Sequence, residues 1–253
     1  MARLRLALIA LLVLLAAAPA RARPVNARVA RAIRERRPLL VKLFREAGVT
    51  YPARRVLIRI FKREKILELW ASAGRTYHKV KDYPVCAASG DLGPKRRQGD
   101  GQVPEGFYHV RVFNPWSAFH LSLGINYPNA SDRVLGHRRD LGGAIMIHGN
   151  CVSIGCVAIK DGPASEVYLA ASEAHARSGR PVTVHIFPTR LDAGGVAFLK
   201  RHHAARPALL AFWDSLRPGY SYFEGHRRLP RITVDRRGRY HVSPPAGLAR
   251  AER

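Results

Sequence analysis

Apolar side chains recur at Val29, Ile33, Leu40, Leu43 and Phe44 among Arg and Glu between residues 25 and 47, a helical spacing interrupted by Pro38. That pattern predicts one or two short helices packed on the rest of the domain. From Val56 to Trp70 two β-rich runs flank the polar stretch Lys62-Arg63-Glu64-Lys65, the signature of a hairpin. Between Ser89 and Gly106 the composition turns to Gly, Pro and charge, which marks an exposed loop rather than a linker, because strand-like sequence resumes at Phe107–Phe113. Short strands are predicted at 118–123, 144–148 and 182–187. Helices are predicted over 163–177, with a stop at Gly179-Arg-Pro, and from about 193 to 216. A last hairpin, 231–234 with 240–242, turns at Arg237-Gly238. The sum is one β-dominated domain with flanking helices, α+β overall, without repeats or low-complexity tracts.

The first 22 residues stand apart. Arg3 and Arg5 precede an unbroken apolar run from Leu6 to Ala18, followed by small residues at Ala18, Ala20 and Ala22. This is the layout of a cleavable secretory leader, and the run is shorter than the about 20 residues a spanning helix needs. The expectation is export, with no membrane span in the mature form.

Composition adds two constraints. With 47% apolar and 24% charged residues over 253 positions, the chain can bury a core, and intrinsic disorder is excluded as its main state. The formal net charge is +25, and of 43 basic residues eight are Lys and the other 35 Arg. Removal of the leader takes Arg3, Arg5 and Arg21 and no acid, leaving +22. Such a field attracts polyanions. Arg is spread evenly, as a compositional bias of the genome would leave it, and no aromatic-interleaved basic stripe of the kind single-strand binders use is present. Nucleic acid is therefore not expected as a partner.

The chemistry is concentrated between Ile145 and Ile159. A strand ends in His148-Gly149, a polar turn follows, and Ser153-Ile-Gly155-Cys156 leads into another apolar stretch, so that a thiol and an imidazole stand eight positions apart. A nucleophilic thiol needs a base within reach and an amide-rich pocket for the oxyanion that follows attack. His148 is the candidate base, Cys156 the nucleophile, and the backbone N–H groups of Gly155 and Cys156 the candidate oxyanion donors. Three cysteines in an oxidising compartment cannot all pair within the chain. A Cys86–Cys151 bridge would leave Cys156 free, whereas a Cys151–Cys156 bridge would silence it. A zinc site from His148, Cys151 and Cys156 is a weaker alternative, since it lacks a fourth ligand.

These residues resemble the active-site motif of the L,D-transpeptidase catalytic-domain family, in particular the short-loop murein enzymes of Gram-negative bacteria. Similar blocks include Leu57–Glu64, Ala88–Lys95, Pro104–Tyr108 and His120–Arg133, so the resemblance covers roughly Arg55 to Pro188. It implies a mostly antiparallel, β-sandwich-like catalytic domain over 55–188, preceded by a helical segment over 23–54 and followed by a helix-and-hairpin extension over 189–253. It also implies a periplasmic enzyme that acts on peptidoglycan stem peptides through a Cys156 thioester, without metal or organic cofactor. The outcome is either cross-linking or hydrolysis that releases wall-bound outer-membrane lipoprotein. Ser153, Gly149, Tyr127, Asn129 and Arg133 are the candidate substrate-binding residues, although Asn126-Tyr-Pro-Asn129 also reads as an ordinary turn. A non-catalytic cationic protein that sits on the anionic envelope is the alternative from another class.

Overall fold

The computed structural model describes residues 26–137 and 140–245; the expected leader lies outside them. Strand β1 (Arg55–Phe61) explains the architecture. Val56, Ile58 and Ile60 point to one face of the sheet, and Leu57, Arg59 and Phe61 to the other, and all six are buried. A strand covered on both faces reads as a continuous apolar run, and this is why no alternation is visible there.

Strand β1 forms the expected hairpin with β2 (Ile66–Ser72) across the turn at Lys62–Lys65. Outside β2 runs β3 (His78–Pro84), mostly exposed and polar, which hydropathy does not reveal because an edge strand has little to bury. On the other side β1 pairs in parallel with β9 (Thr183–Phe187), and β9 pairs with β5 (Gly106–Asn114). The sheet continues through β6 (Ser122–Ile125), β7 (Met146–His148), β8 (Val157–Ala158) and β4 (Ala87–Ala88). The result is one nine-stranded mixed sheet, antiparallel except for the β1–β9 and β7–β8 pairs.

One face carries α1 (Ala27–Glu46) and α3 (Asp161–Ser178). Leu40 and Phe44 of α1 meet Val167, Ala171 and Ala174 of α3 over Ile58, Ile60, Leu67 and Leu69. Each such apolar side chain contributes roughly 1.5–3 kcal/mol by leaving water. The interruption expected at Pro38 does not occur: α1 runs straight through it. Pro38 is exposed, so the Arg34 carbonyl that loses its helical donor can turn to solvent.

The other face carries the C-terminal elements. The single helix expected over 193–216 is two, α4 (Ala193–His202) and α5 (Pro207–His226). Pro207 sits at the first helical position of α5, where the missing N–H costs nothing, and so restarts the helix there. Phe212, Trp213, Leu216 and Tyr220 of α5 pack on Phe61 and Phe187. The short helix α2 (Ala130–Leu135) follows β6, and β10 (Arg231–Val234) with β11 (Tyr240–Ser243) forms the predicted terminal hairpin.

Beneath α5 lies Arg59, fully buried. Its guanidinium pairs with Glu224 at 2.7 Å and Glu68 at 3.2 Å. Nε and Nη2 have no hydrogen-bond partner, but the group stands 4.6 Å from the Phe223 ring and 5.0 Å from that of Phe61. Ring faces supply the attraction that acceptors do not.

Candidate active site

Strands β7 and β8 bring the chemical residues together. They run parallel with Ile147 opposite Val157, and both of these point into the α3-side core. Alternation then puts His148 and Cys156 on the opposite face, on neighbouring strands and diagonal to one another. Cys156 is the free cysteine among the described residues, and Cys86 and Cys151 are joined in a disulfide with their Cα atoms 5.5 Å apart. The Cys151–Cys156 alternative is therefore corrected. The zinc alternative loses a ligand with it, since a disulfide sulfur is not a thiolate.

His148 is 2% exposed, lies against Phe119 with ring centroids 5.1 Å apart, and places Nδ1 2.6 Å from the Gly149 carbonyl. A carbonyl only accepts, so Nδ1 carries the proton and Nε2 of the neutral ring keeps its lone pair. That tautomer suits a base. No hydrogen bond joins Nε2 to the Cys156 sulfur, however. Sγ instead receives the Met146 N–H at 3.4 Å and faces the Ala144 carbonyl at 3.8 Å. Burial pushes the Cys156 thiol up, against the smaller downward pulls of the Met146 N–H and the Lys95 cation.

The expected oxyanion donors are both engaged. The Gly155 N–H donates to Ser89 Oγ, and the Cys156 N–H to Ser153 Oγ at 3.0 Å. The two serines thus brace the turn, and Ser153 also donates to the Cys156 carbonyl at 2.6 Å. In the resting site both amides are thus already bonded. Ser89 belongs to the Gly-rich loop, and only its place beside β4, which pairs with β8, brings it to Gly155. Nothing in the local sequence announces it.

The surrounding backbone is strained. Of six non-glycine residues with positive φ among the described residues, His120, Ala144, Asn150 and Lys160 lie on the segments that frame this site. Lys160, at φ 61° and ψ 165°, occupies a region almost reserved for glycine. Gly149 is required by crowding: a Cβ there would stand 2.4 Å from the Asp161 carboxylate and 2.8 Å from the His120 Cβ. Gly155, at φ +94°, is required by conformation. Ile154, 88% exposed, crowns the turn between them.

The structure places three of the predicted substrate contacts around the turn between β6 and α2. Tyr127 is buried and donates its hydroxyl to the Leu141 carbonyl at 3.0 Å. Asn129 caps α2 in a reciprocal box with Asp132, and its amide nitrogen reaches Phe107 O and Tyr240 Oη. Arg133 extends along α2 to the Pro128 carbonyl. The polar groups of Tyr127 and Asn129 are engaged in holding the β6–α2 turn, while Arg133 stays exposed. Lys95, at the centre of the Gly-rich loop, is also buried. It pairs with Asp100 at 2.7 Å. Burial alone would raise the Asp100 carboxyl, but Lys95 and three backbone N–H groups hold it down at about 2.

Comparison with known proteins agrees with the motif. The model of the L,D-transpeptidase catalytic domain (YkuD) matches residues 54–184. "Putative L,D-transpeptidase YafK" of Escherichia coli K12 is 41% identical over 192 residues, covering 75% of this chain and 74% of that protein. Among solved structures, the helical cell shape determining protein Pgp2 of Campylobacter jejuni is 19% identical with a TM-score of 0.43, covering 72% of this chain and 73% of that one. Mycobacterium tuberculosis L,D-transpeptidase 1 is 11% identical with a TM-score of 0.30, covering 52% and 61%. The structural scores carry no argument of their own; the family model spans more than half of the chain, and with the 41% identical relative it establishes that this chain belongs to the L,D-transpeptidase catalytic-domain family.

Proposed function

We propose that the protein is an exported cysteine acyl-transfer enzyme acting on peptidoglycan stem peptides, with Cys156 as nucleophile and His148 as base. The observation that carries this reading is the free Cys156 on the same sheet face as a His148 whose Nδ1 is tied to Gly149 O. Substrate entry turns the Cys156 side chain toward Nε2, a step in keeping with the loose catalytic contacts of many unliganded enzymes. The S–H proton passes to Nε2 as sulfur adds to the carbonyl carbon next to the diaminopimelate-type residue. The C–N bond then breaks, the leaving amine takes the proton from His148, and a thioester remains.

During that step the developing oxyanion takes over the Gly155 and Cys156 N–H groups as the Ser89 and Ser153 hydroxyls yield them. Loss of one such donor costs about 10²–10³ in rate. An amine acceptor completes a cross-link. Water completes a hydrolysis, which in this branch includes release of lipoprotein from the wall. The leader expected over 1–22 supports a periplasmic address for the mature chain.

The test begins with the thiol. Iodoacetamide is expected to add one group to the reduced-thiol position of the mature protein by intact mass, and Cys156→Ala to abolish it. Because burial raises the thiol, the alkylation rate should climb with pH to a midpoint above the ordinary value of about 8.5. Purified sacculi incubated with the protein should then gain cross-links or lose stem bonds and bound lipoprotein, and His148→Ala should slow either reaction by about 10²–10⁴. An inert thiol together with unchanged sacculi would leave the non-catalytic cationic binder as the reading.

A further inference from the structure

A cavity of about 760 Å³ lies apart from Cys156. It lies on the far side of the Gly-rich loop, between residues 91–102, the start of α5 and the β10–β11 turn. Arg97, Arg206, Arg237 and Arg239 converge on it from these three segments, and among the described residues none of the four guanidinium groups takes part in an ion pair. Of the two acids in the wall, Asp100 is committed to Lys95 and the loop backbone, which leaves Asp91 against four cations.

Each segment that delivers an arginine is held in place by its own bonds. The Arg97 N–H donates to Asp100 at 3.0 Å. The hairpin turn is clamped by Asp235, which accepts from the Arg237 and Arg239 N–H groups at 2.8 and 2.9 Å, and by Ser131, which donates to the Gly238 carbonyl at 2.6 Å. Helix α5 opens into the cleft at Arg206 and Pro207 with no side-chain cap, so its positive end adds to the field. The floor is apolar, made by Leu209 and Phe212. Like charges are gathered on rigid supports here without an internal partner, at a cost in self-repulsion that an anionic ligand would relieve.

We propose that this cleft binds an acidic peptide with small apolar side chains, and that its ligand is a murein stem neighbouring the one that reacts at Cys156, a reading that rests on the function proposed above. Stem carboxylates pair with the guanidinium forks, and alanine methyl groups lie on Leu209 and Phe212. The volume suits several residues of peptide rather than an isolated phosphate. The cleft is one loop away from the thiol: Gln102 lines it, and the Gln102 carbonyl stands 3.3 Å from the Cβ position of Gly155.

The experiment uses full-length mature Cys156→Ala protein and a soluble disaccharide-tetrapeptide, titrated by calorimetry at low and high salt. Binding is expected to weaken about tenfold or more with Arg97→Glu plus Arg239→Glu, and less with the corresponding Gln pair. It should also weaken when the probe's carboxylates are amidated and when salt is raised. The charge-matched pair Arg31→Glu plus Arg34→Glu, on the exposed face of α1, should leave it within twofold. The proposal is overturned if the parent does not bind the probe, if the cleft pair binds within twofold of the parent, or if the amidated probe binds equally well. Arginine-dependent binding of phosphatidylglycerol vesicles without binding of the muropeptide would also overturn it, in favour of a lipid surface. Alkylation of Cys156 in the wild-type chain reports separately on the catalytic reading, so failure of one is not mistaken for failure of the other.

Discussion

Five strands of the sheet, β3, β2, β1, β9 and β5, are five to nine residues long, whereas the other four, β6, β7, β8 and β4, have two to four. The long half is stabilised as a core usually is, by ladders, by apolar side chains on both faces, and by a buried Arg59 whose charge is answered by Glu68, Glu224 and aromatic rings. The short half has little ladder to rely on. A disulfide and serine hydroxyls bonded to backbone amides hold it instead, with several residues kept in unfavourable φ regions. The difference teaches that here regular structure provides the support and irregular structure, covalently tied down, carries the candidate site.

Substitutions can break that contrast at either end. The largest effect should come from Arg59→Ala, which empties a packed site under α5 and takes one cation from Glu68 and from Glu224, leaving them Arg190 and Arg227, and should cost about 4 kcal/mol in denaturant unfolding. The alkylation rate of Cys156 in the protein that remains folded should be unchanged. Next, Cys86→Ala plus Cys151→Ala opens a link across 65 positions and should cost on the order of 2–4 kcal/mol. Here the Cys156 alkylation rate should change, because the bridge joins the segment leading into β4 and Ser89 to the turn after His148. An unchanged rate would show that the short half is held by other means. The smallest effect is of opposite sign. Lys160→Gly relieves a strained φ/ψ pair and should raise stability by about 1 kcal/mol, while turnover on sacculi falls as the backbone between β8 and α3 gains freedom.

The same contrast explains what could be read from the sequence. The β1–β2 hairpin, β5 and α3 are legible because burial leaves periodic apolar positions. The His148-Gly and Ser-Ile-Gly-Cys156 segments stand out together because the apolar runs that flank them form the neighbouring strands β7 and β8. Edge strand β3 escapes because it buries little, and Pro38 misleads because tertiary packing of Leu40 and Phe44 outweighs the local break. The roles of Tyr127, Asn129 and Ser89 depend on partners far away in sequence, among them Tyr240, Leu141 and Gly155, and no local pattern encodes such pairings.

Arg59 carries a consequence for the order in which the molecule can be completed. Its near partner, Glu68, is synthesised almost at once, but Glu224 comes 165 residues later. Until that last helix is available, the middle of the sheet holds a cation only half neutralised, with no roof of Phe and Tyr above it. The chain therefore has a built-in reason to stay unfinished until nearly its whole length has been delivered.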